Sequence, residues 1–424
     1  MKNNGLERVI ETLGNRIITK LKYVSSINGR IGFRGYTQND LVDEGDGAIT
    51  ISPSNIKGMN TDFSKCTYVS WYKYNESPEI KVCKGDIILV KTGSSYGKSA
   101  LIQNLPQPAT INPQLVVLKD IKINKKILFY FLQTDFVKRQ MDLAVIGGAI
   151  PTMTQVKIGN TILILPPLSE QKAIAEFLDK KCGEVDALIA DIQQEIETLE
   201  QYKRSVITES VTKGLDPSVP MIDSGIDWVG IMPKHWKKMP NKYLMYKAKT
   251  ICPVYNGESI LSLTMKGVVV RDLEAGGKMP TSFDGYQQIK AGNLLMCLFD
   301  IDVTPRCIGL ICNNGVTSPA YSQFIMKKNA YAPFYSYYYL MVDFTKELLH
   351  MAKNLRHSLN EEQFGAILAP VPPIEEQQQI ADYLDKKCKE IEGVIADKQS
   401  QIETLESYKK SLIYEYVTGK KEVG

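Results

Sequence analysis

A stretch of 47 residues occurs twice in this chain of 424, and that duplication limits the fold more than any other feature. Residues 166–212 read PPLSEQKAIAEFLDKKCGEVDALIADIQQEIETLEQYKRSVITESVT. Residues 372–418 read PPIEEQQQIADYLDKKCKEIEGVIADKQSQIETLESYKKSLIYEYVT. The two align without a gap at an offset of 206 residues, and about 28 of the 47 positions are identical. The chain is therefore two copies of one unit, each ending in the same element.

That element reads as a long helix. Pro166-Pro167 cannot continue a helix, and Ser169 is placed to act as its N-cap, with Glu170 and Gln171 in the first turn. Glu375 replaces that serine in the second copy, a weaker cap. Gly214 and Gly419 stand just past the last periodic residues, where a left-handed cap is wanted. Leu178, Cys182, Val185, Ile189, Ile192, Ile196 and Leu199 step by four and three, the seam of a coiled coil. Leu384, Cys388, Ile391, Ile395, Ile402 and Leu405 repeat that seam, with Lys398 where Ile192 would be. At ~1.5 Å per residue, such a helix would span roughly 65 Å if straight. Gly183 and Gly393 are the expected points of a bend or break. Each helix alone has a bare apolar seam, and two in one chain most simply bury them against each other.

The globular text between these helices sets the domains. Residues 1–165 form a first mixed α/β stretch, opening on a short, partly helical lead-in at 1–20, with strands expected at 47–52, 67–71, 86–90 and 161–165 and a helix at 125–143. Residues 166–214 are the first long helix, and 215–235 a proline-marked linker, ordered but not repetitive. Residues 236–371 form a second mixed stretch, with a strand at 292–299 and a helical run near 335–351. Residues 372–419 are the second long helix, and 420–424 a basic tail. The globular stretches echo each other faintly: Gly85-Asp86-Ile87 matches Gly292-Asn293-Leu294, and Gly97 before Leu101-Ile102 matches Gly309-Leu310-Ile311. Elsewhere they differ almost completely. Like helices with unlike heads suggest a common frame holding two different readers.

Composition closes off several classes. No run approaches the ~20 apolar residues of a membrane span, and the first twenty residues lack the apolar core of a secretory signal. Eight cysteines without a CxxC pair and two of them on the helical seams suit a reduced, cytoplasmic setting. Three histidines, and Cys307 and Cys312 without zinc spacing, leave no metal site to assemble. A net charge of +4 permits an anionic partner without demanding one.

Two motifs imitate catalysis. Gly93-Ser94-Ser95-Tyr96-Gly97-Lys98-Ser99 follows a strand, but a phosphate loop needs four residues between its glycines and this has three. The following Ala100-Leu101-Ile102 reads as another strand, not a helix whose N-terminus would hold an anion. The turn instead offers Ser94, Ser95, Tyr96 and Lys98 to a DNA backbone or base edge. Ser318-Pro319-Ala320-Tyr321 is near the motif with which amino-methyltransferases hold a target amine, but lacks its second proline, and no GxGxxG loop accompanies it. A structural turn is the plainer reading. What remains is a scatter of loop cations and amides: Arg30, Arg34, Tyr36 and Asn39 in the first half, and Lys266, Arg271, Lys278, Arg306, Arg356 and His357 in the second. Arginine forks suit guanine and lysine suits phosphate. Singly each reads as a solvated charge, and only the frame makes the set interesting.

On these residues the chain resembles the specificity subunit of type I restriction–modification systems. The resemblance rests on Pro166-Pro167-Leu168-Ser169-Glu170-Gln171 and Pro372-Pro373-Ile374-Glu375-Glu376-Gln377, each followed by LDKK and IETLExYK. Val211-Thr212, Val417-Thr418-Gly419-Lys420, and residues 223–228 with Pro233-Lys234-His235-Trp236 extend it. The Gly93 to Lys98 turn and the segment at 318–321 also look like family elements. A Pro-x-His-Trp opening is missing before Leu21, which blurs where the first domain begins.

The resemblance implies an α+β chain in which two target-recognition domains are separated by two long helices forming an antiparallel coiled coil, with a pseudo-twofold repeat. Each domain would read one half of a bipartite DNA target, the helices setting the gap. The subunit would have no catalysis and no cofactor of its own. It would dock two methyltransferase subunits, which bind S-adenosylmethionine, and in the full complex the ATP- and Mg-dependent restriction subunits. Arg30, Arg34, Tyr96 and Lys98 would then serve one half-site, and Arg271, Arg306 and Arg356 the other. A coiled-coil scaffold that joins proteins without touching DNA is the competing expectation.

Overall fold

The computed structural model describes residues 11–13, 16–30, 32, 35–145, 150–274, 280–352 and 356–423. Arg34 and Lys278 lie outside the described residues. The chain divides into two compact units, residues 1–192 with 400–424, and residues 193–399. Both divisions fall inside the long helices, so each unit holds a part of both.

In the first unit four antiparallel strands run in the order Ser99–Leu101, Ile87–Val90, Leu115–Lys119, Ser26–Gly29. Ile87–Val90 is apolar and buried at every position because both faces of the sheet are covered. Ile87, Leu89, Val116 and Leu118 join a core shared with helices, while Ile88, Val90, Leu115 and Val117 join a second core. That second core also takes Ile49, Ile51, Ala109 and Ile111, from a five-stranded sheet in which Gly47–Ile51 and Ala109–Ile111 pair in parallel.

The second unit repeats the four-stranded sheet in the same order, as Ile308–Leu310, Leu294–Met296, Ser322–Met326, Met245–Ala248. The faint sequence echo is a shared bend: Gly85 N donates to Ile102 O at 2.8 Å, and Gly292 N to Ile311 O at 2.8 Å. One part of the echo needs correcting. Gly309 sits opposite Leu295 as Ala100 sits opposite Ile88, so its counterpart is Ala100 and not Gly97.

Several elements differ from the sequence reading. Arg16–Lys20, expected in a partly helical lead-in, is a strand paired antiparallel with Ile162–Leu165. Its β-branched Ile17-Ile18-Thr19 run favours that pairing once a distant partner is in place. Lys237–Pro240 and Leu368–Val371 make the equivalent pair in the second unit. The helix expected at 125–143 is two, Lys125–Leu132 and Asp135–Ala144, because the Thr134 hydroxyl caps the second by accepting from Val137 N. The run near 335–351 is Ala332–Phe344 followed by a 3-10 turn at Glu347–Met351, separated by the left-handed Lys346 (φ 56°). The linker contains a small hairpin, Met221–Asp223 with Ile231–Pro233.

The repeated helices are Leu168–Lys213, 46 residues, and Ile374–Val417, 44 residues. Both run unbroken through Gly183 and Gly393. Ser169 lies inside the first turn rather than before it, so it is not the cap. Gly214 and Gly419 do take the left-handed conformation, each at φ 76°. In the first unit Leu178 and Cys182 share a core with Leu412, Ile413 and Val417, and the rings of Phe177 and Tyr416 lie 4.5 Å apart. In the second unit Val206, Ile207 and Val211 share a core with Ile380, Leu384 and Cys388. Early positions of one helix thus meet late positions of the other, an antiparallel arrangement. Val185, Ile196, Ile391 and Ile402 are buried, and Ile189, Ile192, Leu199, Ile395 and Leu405 half-buried. The repeat also pairs charges: Lys409 Nζ reaches Asp186 at 2.6 Å, and Lys203 Nζ reaches Glu392 at 3.5 Å. Lys398, the lysine on the seam, pairs with Glu195.

Candidate nucleic-acid interface

Antiparallel register brings remote segments to one end of the first sheet. Val90 lies opposite Leu115, and Val116 opposite Gly29. The turn at 91–98 and the chain after Gly29 therefore leave the sheet at the same end. The turn closes as a hairpin: Gly97 N donates to Val90 O at 2.9 Å and Val90 N to Lys98 O at 2.8 Å. Gly93 (φ 103°) and Gly97 (φ 84°) supply conformations other residues resist. A strand follows at Ser99–Leu101, so the turn does not open onto a helix as a phosphate loop does. Ser94 and Lys98 are exposed, and Ser95 and Tyr96 half-buried. Tyr96 OH donates to Asp142 at 2.8 Å, and Lys138 Nζ stands 5.5 Å from its ring. Lys138 is an exposed cation beside this turn that only the fold could reveal.

Arg30, expected among the DNA readers, has another place. It is buried, donating from Nε to Ile111 O at 3.3 Å and from Nη2 to Thr110 Oγ1 at 3.2 Å, with its guanidinium 5.3 Å from the Tyr36 ring. Burial pulls its pKa down. It joins the end of the four-stranded sheet to the five-stranded sheet, and that contact removes it from the exposed set. Tyr36 is half-buried, accepting from Thr50 Oγ1 at 3.4 Å.

In the second unit the equivalent turn is wider, residues 297–307. Arg306 is half-buried, donating from Nε to Ile308 O and from Nη1 to Met265 O, both at 2.9 Å. It thereby ties the turn to the hairpin of Leu261–Thr264 and Gly267–Val270, whose tip carries exposed Lys266. Burial lowers the Arg306 pKa. Arg356 is exposed, and its carbonyl accepts from Asp300 N at 3.0 Å, which sets it alongside the same turn. Asp300 (φ 46°) and His357 (φ 44°) hold left-handed conformations there. Arg271 is half-buried just beyond the hairpin. The segment at 318–321 is a structural turn whose Ser318 and Tyr321 carbonyls accept from Gln287 Nε2 at 2.9 and 2.7 Å.

Each unit fastens its sheet to the repeated helix in the same way, which sequence reasoning missed. Asn124 N donates to Gln171 Oε1 at 2.9 Å, and Tyr331 N to Gln377 Oε1 at 2.8 Å. Both glutamines donate back at 2.9 Å, to Pro166 O and Pro372 O. Tyr130 OH donates to Asp179 at 2.7 Å, and Tyr337 OH to Asp385 at 2.7 Å. Burial first, and then the acid beneath, pushes both phenols above their ordinary range, so they stay protonated donors. Identical sequence at the repeat was the signal; the partners in the heads carried none.

Among the described residues no group of His, Cys, Asp and Glu could hold a metal ion, and no helix is long and apolar enough to cross a membrane. All eight cysteines are free thiols. The family model of the type I restriction modification DNA specificity domain matches residues 72–198 and 309–404, more than half of the chain. The chain belongs to that family. The MjaVIII type I restriction enzyme specificity subunit of Methanocaldococcus jannaschii is 26% identical over 384 residues, covering 85% of each chain. The putative MjaX specificity subunit of the same organism is 25% identical, covering 88% of this chain and 85% of that one. A chain solved in work on complex assembly and conformational transition of the type I R-M system superposes with a TM-score of 0.69 at 13% identity, covering 97% of this chain and 100% of that one. As a member of the specificity-domain family, the chain has DNA target recognition as its general role, and the relatives are specificity subunits.

Proposed function

We propose that this chain reads a bipartite DNA target, the first unit serving one half-site and the second unit the other. The observation that supports this best is the same four-stranded sheet built twice, with a cation-bearing turn at the same end each time and the same two fastenings to a repeated helix. Unlike turns on like frames suit two different half-sites at a set spacing. Lys98 and Lys138 would contact phosphate in the first half, and Lys266 and Arg356 in the second. The matched surfaces of the repeat suit two copies of one partner, which we assign as methyltransferase subunits carrying S-adenosylmethionine. In the full complex, restriction subunits with ATP and Mg would join them.

Sequencing the methylated positions of the host genome with and without this gene tests the reading. A split motif with a fixed gap, lost with the gene, is expected; a continuous motif or no change rules it out. Duplex binding by the assembled complex should weaken steeply with salt, because phosphate contacts release counterions. Salt-independent association with protein alone would instead favour the scaffold.

A further inference from the structure

One helix in each unit connects the repeated helix to the turn at the sheet's end. In the first unit it is Lys125–Leu132, which starts beside the Gln171-bound amide, meets Asp179 through Tyr130, and ends near Gln133. Gln133 Nε2 donates to Ser99 Oγ at 2.8 Å, one residue from Lys98. In the second unit it is Ala332–Phe344, which starts beside the Gln377-bound amide and meets Asp385 through Tyr337. Near its end Asp343 accepts from Cys307 N at 2.8 Å, one residue from Arg306. The tyrosine follows the bound amide by six residues in both units, and the acid follows the glutamine by eight. Heads that otherwise differ almost completely keep this one spacing.

Each helix shares an apolar core with the repeated helix, and in the first unit Lys126 also pairs with Asp179; the glutamine bond fixes only the start of the helix. The second attachment, about one and two-thirds turns further on, adds a constraint on its direction. The glutamine bond and the shared apolar core hold the head on; the phenol bond adds a directional contact that bears on the angle at which the turn is held. We propose that Tyr130 and Tyr337 are positioning residues that set how strictly the protein discriminates the gap between its half-sites, an inference that rests on the bipartite reading above. Neither tyrosine touches DNA. Each acts through its helix on the turn that does.

The test uses Tyr130→Phe and Tyr337→Phe in the full chain, assembled with its methyltransferase partner. Removing only the hydroxyl keeps the ring, buried at Tyr130 and half-buried at Tyr337, so the heads should remain folded and docked. Binding is measured to three duplexes carrying the target with its gap unaltered, one base pair shorter and one base pair longer. Each variant is expected to lose about ten-fold of its preference for the unaltered gap, the order of one hydrogen bond to a charged group. Affinity for the unaltered duplex should change less than about two-fold, since the docked geometry remains accessible. Asp385→Asn, which keeps an acceptor for Tyr337, should retain more of the preference than Asp385→Ala. An unchanged preference overturns the proposal. So does an equal loss on all three duplexes, which would make the tyrosines general supports. A wild-type complex indifferent to the gap removes the bipartite reading itself, and the proposal with it.

Discussion

The two units share their sheet and their fastenings, yet their turns have almost nothing in common. In the first, eight residues between strands close tightly on two left-handed glycines and leave Ser94 and Lys98 exposed. In the second, eleven residues are braced by Arg306 and by the 356–357 segment, with a lysine offered from a separate hairpin. Positions that bear on the repeated helix are the same in both; positions at the far end of the sheet are not. The molecule separates where its proposed reading surface stands from what that surface presents.

The largest effects should come from breaking the shared part. Leu178→Asp and Leu384→Asp each place an acid in a fully buried core and should cost several kcal/mol. Thermal unfolding should show comparable losses for the two, and a loss in one alone would end their equivalence. Gln171→Ala and Gln377→Ala remove the partner of a main-chain amide and should each cost about 1–3 kcal/mol. Denaturant titration should again give matching values. Gly214→Ala forces a left-handed φ on alanine and sets its Cβ 3.0 Å from Glu376 Oε1, a cost of about 1–2 kcal/mol. Lys398→Ile restores the seam in exchange for an ion pair that is partly exposed, and should shift stability by less than about 1 kcal/mol, toward greater stability. A marked loss there would mean that Lys398 does more than fill a position.

Legibility in the sequence followed the range of the interactions. The duplicated helices were plain because a seam repeats every few residues and because 206 residues later it repeats again. Strands such as Ile87–Val90 showed as short apolar runs bounded by glycine. Arg16–Lys20 was missed because its partner lies about 145 residues away, and no local pattern announces a ladder across that distance. Arg30 was misplaced for a related reason: a glycine-rich loop reads as surface, while the Thr110 and Ile111 acceptors that bury the guanidinium come from a remote strand. Lys138 reached the turn only through a helix break at Thr134 that composition did not signal. The candidate interface was thus legible only as a list of cations, and the fold decided which of them face outward.

The glutamines that begin each repeated helix hold their heads by a peptide N–H and not by a side chain. Every residue except proline carries that group. The socket therefore accepts substitutions at positions 124 and 331 without altering its own chemistry, and a head could be rewritten around Tyr130 or Tyr337 while its mounting stayed as it was.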